Sequence, residues 1–346
     1  MTANWLEQDS RLTGRMVIHD VEQGQRSIGE MKPNADVSAS SSVQKGKEGL
    51  GMFYGLLGVA GFSLSLPATR VAVEFFNPTV TGLGRALVAA VLAGMVLWIR
   101  RERIPNWNQI KSLAVVAFGV VIGFPFFSSW AMERVPSSHG AVVIAMLPIA
   151  TAVVAALRAG ERPSIGFWLA SAAASATVVI YAFSAGFGRL QVADLALIGA
   201  VISAAVGYAE GGRLARELGG WQVISWSLVI SAPFLIWPVA SSLSPEILRA
   251  TPAAWLSFAY VSLISQYLGF FAWYGGLALG GVAKVSQVQY LQPFLTIVAS
   301  AFLLGEIVTS QTIWTAAIVV ILVALGRKAA VKQVGRSDAS KADSRG

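Results

Sequence analysis

Met146-Leu-Pro-Ile-Ala-Thr-Ala-Val-Val-Ala-Ala-Leu-Arg-Ala-Gly-Glu161 and Leu291-Gln-Pro-Phe-Leu-Thr-Ile-Val-Ala-Ser-Ala-Phe-Leu-Leu-Gly-Glu306 read as two copies of one segment. In each, a proline is followed thirteen positions later by a glutamate with a glycine just before it: Pro148 with Gly160 and Glu161, Pro293 with Gly305 and Glu306. The same offset of 145 brings Thr151 onto Thr296, Ala156 onto Ala301 and His139 onto Lys284. Both copies lie in long apolar segments. The chain therefore reads as a duplicated bundle of membrane helices, an architecture used mostly for transport.

Composition agrees. Hydrophobic residues make up 55% of 346 positions and charged ones 13%, with a mean hydropathy of +0.63; a soluble domain carries about 25% charge. The net charge of +8 does not imply a nucleic-acid partner, because it sits in tails and short turns rather than along a groove. With no cysteine and only two histidines, thiolate chemistry and a histidine metal site are not expected, nor is any metal or cofactor.

Residues 1–48 are polar and expected to be disordered. From there we predict an all-α membrane protein of ten spans, near 51–73, 79–99, 112–132, 137–157, 164–184, 192–213, 221–241, 253–275, 282–304 and 309–327, each long enough for about 30 Å of hydrocarbon. Residues 49–188 form a first five-helix repeat and 189–327 a second; 328–346 is a basic tail suited to anionic lipid headgroups. Five is odd, so the second repeat enters the membrane from the opposite side, giving inverted repeats with a solute site near the midplane. Loop charge (Arg100, Arg101, Arg103, Lys111, Arg158, Arg162, Arg213 and Arg216 on one side) orients both termini to the cytoplasm of an inner-membrane protein. Trp98, Trp168, Trp221, Trp237, Trp255, Trp273 and Trp314 fall near helix ends, as an interfacial belt requires.

The ten spans, Arg85 early in span two, the Pro148…Gly160-Glu161 and Pro293…Gly305-Glu306 corners, Leu277-Ala-Leu-Gly-Gly281 and Gly219-Gly220-Trp221 together resemble the EamA-like branch of the drug/metabolite transporter superfamily. The resemblance covers residues 50–327. It implies an inner-membrane permease, with many relatives exporting amino acids or other small metabolites and some importing other solutes.

Individual residues sharpen this. Arg85 lies about 10 Å into span two at 1.5 Å per residue. It either snorkels to the surface or attracts an anionic group such as a carboxylate. Ser286, Gln289, Pro293, Thr296 and Ser300 recur on one helical face of span nine, flanked by Gln287 and Gln292, and either line a solute path or bond neighbouring helices. On span eight, Ser265, Gln266 and Trp273 suit an amphipathic solute; interfacial anchoring explains the tryptophan equally well. Pro148 and Pro293 permit kinks. Glu161 and Glu306 are structural corners, each expected to complement the dipole of the next span. His139 and Lys284 suit either a gating or proton-linked role or plain exposed helix ends. The Gly-x-x-x-Gly spacings beginning at Gly51, Gly119, Gly207 and Gly276 allow close helix approach, but 34 glycines produce such spacings by chance.

The expected function is alternating-access movement of a small, amino-acid-like solute, in the export direction. Proton coupling and a homodimer are both compatible with the fold. No Walker loop is present, and no nucleophile–base or metal motif of an intramembrane enzyme. Efflux of lipophilic cations is the alternative, and a non-transporting sensor or assembly factor the remote one.

Overall fold

The computed structural model describes residues 33–158, 161–184, 192–305, 310–327 and 331–333. Two units are distinguishable: Met1–Lys47, helical from Pro33, and Glu48–Gly346, which forms the bundle. The helix Pro33–Ser63 thus begins inside the segment expected to be disordered. Proline suits a first helical turn, and nothing from Asn34 to Lys45 is a glycine or a second proline, so the polar run continues into the first span.

Helices are numbered after the predicted spans. Among the described residues, seven helices are long and apolar enough to cross a membrane: helix one (Gly46–Ala72), two (Val80–Ile99), three (Trp107–Met132), six (Val192–Leu218), seven (Gly220–Ser241), eight (Pro252–Gly280) and nine (Val282–Leu304). Helix four is broken into Ser137–Ile144 and Leu147–Arg158; helix five is Ile165–Ser184 and helix ten Ser310–Arg327. Helical backbone satisfies its own hydrogen bonds, which hydrocarbon demands. The loops between use ordinary signals, such as the reciprocal Asn106–Gln109 capping box opening helix three.

Packing mirrors the sequence duplication. Helix two lies on seven, four on nine and five on ten; helix six packs on three and four as helix one packs on eight and nine. Two of these crossings are made through glycine. A Cβ added at Gly51 would lie 2.7 Å from Gly280 N, and one at Gly276 would lie 2.7 Å from Gly51 O. At the other crossing, Gly119 and Gly123 face Ser203 and Gly207 equally closely. All four Gly-x-x-x-Gly spacings contribute to these two contacts, with Gly211 lying under the Tyr274 ring.

Pro148 is the second residue of Leu147–Arg158, after the break in helix four. Pro293 is likewise second in Gln292–Leu304, after a tight 3-10 stretch at Gln287–Leu291. Each proline thus opens a segment of regular α-helix rather than interrupting one. Strand β1 (Glu161–Pro163) pairs antiparallel with β2 (Val331–Gln333), so these three residues lie beside the turn after helix four. Trp98, Trp237 and Trp314 face outward, as a belt requires, whereas Trp273 is fully buried in the core.

Candidate functional site

Helix three widens into π-helical turns over Ala117–Gly123 and helix eight over Val261–Leu268, 144 residues apart at their starts and 145 at their ends. A wide turn displaces backbone carbonyls from their usual partners. Here Val120 O accepts from Gln266 Nε2 at 3.1 Å, and Ser265 Oγ meets Ser65 Oγ of helix one at 2.6 Å. Around this junction lies a cavity of about 10 Å³ bordered by Phe62, Ser65, Arg85, Tyr208, Gln266, Phe270 and Gln292. Its free interior has room for about one water molecule. The bundle is closed around it.

Arg85 is 1% exposed, so it does not snorkel. Wide turns at Val80–Gly84 precede it and helix two carries it inward. Among the described residues its Nε and Nη1 have no hydrogen-bond partner, and no carboxylate pairs with it. Tyr208 lies beside it, and Gln289 next to that ring. Gln292 Oε1 and Trp273 Nε1 are also buried without a partner among the described residues. Aromatic rings wall the region: Phe62 on Phe270 with centroids at 5.0 Å, Tyr208 on Trp273 at 5.2 Å and Phe62 on Trp273 at 6.1 Å. Sequence reasoning missed Tyr208, Phe62 and Phe270, because lone aromatics in apolar helices carry no signal there.

The polar face of helix nine divides. Ser286 bonds back to Ala283 O, Thr296 donates to Ser63 O of helix one, and Ser300 bonds Thr296 O and Ser137. These three belong to helix packing rather than to the cavity. Gln287 reaches Ser171 of helix five, while Gln292 borders the cavity. The reason is geometric. Five residues at three per turn rotate the remainder of the helix by about 100° relative to a regular α-helix, so a stripe drawn at constant period is broken at Gln287–Leu291.

The ends of the bundle are fastened by two side-chain pairs. His139 Nε2 lies 2.5 Å from Asp194 Oδ1, both buried, at the N-terminal ends of helices four and six. Lys284 Nζ lies 2.5 Å from Glu48 Oε2, near the N-terminal ends of helices nine and one. His139 and Lys284 are the two residues superposed by the 145 offset, and they sit at opposite ends. His139 is therefore not an exposed helix end. Glu161 corrects a further expectation. Its carboxylate accepts from Val282 N and Ala283 N, both at 2.7 Å, and from Arg216 Nη2 at 3.0 Å. It caps helix nine, not the helix next to it in the chain, because Gly281 (φ 86°) turns the backbone so that the start of helix nine faces the corner. Glu306, its copy, lies outside the described residues, as does Gly160. Glu161→Ala would leave two buried N–H groups unpaired at about 1–3 kcal/mol each. A fall in the melting temperature in detergent is expected, smaller for Glu161→Gln, which keeps one acceptor.

A family model described as "EamA-like transporter family" matches residues 49–183 and again 191–326. The chain is 44% identical over 279 residues to "Uncharacterized transporter YdeK" of Bacillus subtilis (strain 168), covering 80% of this chain and 97% of that one. It is 25% identical over 253 residues to the "Probable terminal-alkyne amino-acid exporter" of Streptantibioticus cattleyicolor, covering 73% and 84%. A solved structure described only as a crystal structure of a protein has a TM-score of 0.66 at 16% identity, covering 80% of this chain and 97% of that one.

Proposed function

This chain belongs to the EamA-like transporter family, a multi-pass membrane transporter, and from that premise we propose that it is an inner-membrane permease for a small amino-acid-like carboxylate, moved outward by alternating access between two inverted five-helix repeats. The observation that carries the substrate class is Arg85, a buried cation whose Nε and Nη1 have no hydrogen-bond partner among the described residues, on the wall of a central cavity. Exposing such a group to an apolar bundle is costly unless an anion visits it. The named amino-acid exporter supports the same class. Both termini are placed on the cytoplasmic side with Arg158, Arg162 and Arg216. Lipophilic-cation efflux is disfavoured, since the described cavity wall offers such a cation a guanidinium and no acid.

The two side-chain pairs supply the gates of this mechanism. Lys284–Glu48 closes the cytoplasmic end and His139–Asp194 the outer end; in this conformation both are made. Transport results when one opens at a time. Because the chain has no cysteine, a single Ser265→Cys reports access from either side by labelling with a membrane-impermeant maleimide. Lys284→Gln should raise labelling from the cytoplasmic side only, and Asp194→Asn from the outer side only. Equal effects on both sides would sink the two-gate scheme. The permease reading itself is tested by exchange of labelled amino acids, sugars and nucleotides in proteoliposomes. Saturable exchange of a carboxylate class, weakened by Gln292→Leu, is expected; folded protein exchanging nothing would overturn it.

A further inference from the structure

Resting on the reading of the central cavity as the solute site, we infer that the solute is recognised as a monoanion: a carboxylate whose amino group is absent or acylated, attached to a partly apolar body. Charge balance requires it. Arg85 brings one full positive charge to the site, 1% exposed, and no described acidic side chain borders the cavity to balance it. A monoanionic carboxylate cancels that charge through the guanidinium fork, whose Nε and Nη1 are unengaged. A free amino acid would deliver its carboxylate to the same place and then bury an ammonium that no carboxylate meets. Desolvation of the ammonium opposes that, and the face of Tyr208 offsets it only in part.

The uncharged groups fit the same solute. Gln292 Oε1, on the cavity wall, is a buried acceptor without a donor among the described residues, and a neutral amide N–H satisfies it at no cost in charge. The walls of Phe62, Phe270 and Tyr208 accept an apolar or aromatic body. With room for about one water in the closed form, binding must part these walls. The duplicated wide turns at Ala117–Gly123 and Val261–Leu268 are the places where helices three and eight have slack to do so.

Three probes with one ring and three charges test this on the purified full chain in detergent: N-acetyl-L-phenylalanine (−1), L-phenylalanine (zwitterion) and L-phenylalaninamide (+1). The acetylated acid should raise the melting temperature at concentrations at least about tenfold below phenylalanine, and the amide should not act. Arg85→Gln should abolish the preference while the protein remains monodisperse, and Arg85→Lys, which keeps charge but loses the fork, should retain a weakened preference. Phenylalanine acting at concentrations as low as its acetylated form would overturn the inference, as would a preference that survives Arg85→Gln. Exchange of some other solute class with none of the three bound would overturn it while leaving the permease reading intact. Failure of folded protein to exchange any solute would remove both.

Discussion

Arg85→Met should abolish solute exchange and yet leave a protein as stable as the original or more so. A structural arginine predicts the opposite. Its guanidinium is buried among Tyr208, Phe62 and Phe270, with Nε and Nη1 unpaired. Removing a poorly compensated buried charge in favour of a well-packed side chain is neutral or stabilising by about 1–4 kcal/mol. Methionine is unbranched and fills irregular space, so no large cavity is left. Losing a buried carboxylate–guanidinium pair costs about 2 kcal/mol or more in solute binding, at least about thirtyfold. The measurements are the melting temperature of detergent-purified protein and counterflow in proteoliposomes. A large fall in stability with the loss of transport would mark Arg85 as part of the scaffold and detach it from the solute.

The second large effect concerns the glycine crossings. Gly119→Val should prevent recovery of monodisperse protein. A Cβ at Gly119 would lie 2.6 Å from Ser203 O and 2.8 Å from the Gly207 backbone, where ordinary carbon contacts are about 3.5–4.0 Å. The obstacle is backbone, which no rotamer change can move aside. Helices three and six would have to separate by about 1 Å along a contact held largely by dispersion, the main attraction between helices in lipid. Gly275→Val is the control, because nothing lies within 4 Å of a Cβ there, and should purify like the original. Size-exclusion profiles of the two variants decide. Equal profiles would mean that the crossing is loose.

The apolar segments and the duplicated Pro148 and Pro293 corners were legible in the sequence because each rests on composition or a fixed offset. The cavity wall was only partly so. Arg85 was visible because charge inside hydrocarbon is rare, and Ser265, Gln266 and Gln292 because amides and hydroxyls stand out in apolar helices. Tyr208, Phe62 and Phe270 were not, since an aromatic in a membrane helix faces lipid, core or solute without changing the pattern. Ser286 and Thr296 were misplaced by assuming one helical period through Gln287–Leu291. His139 offered no hint of Asp194, which lies 55 residues away on another helix, and no spacing rule links Glu161 to Val282. Pairings of that kind exist only once helices are packed.

The carbonyl of Val120 illustrates a different limit. Val120 borders the cavity, and its main-chain oxygen, set by the wide turn, accepts from Gln266. Main-chain oxygen survives every side-chain replacement. An alanine scan would pass over residues 117–123 and record silence at a part of the pocket that could bind directly. What it contributes would surface only when the helical winding itself is altered, by deleting one residue from the turn and restoring the regular ladder. Such a deletion should leave the composition of the wall nearly unchanged and take away one of its acceptors.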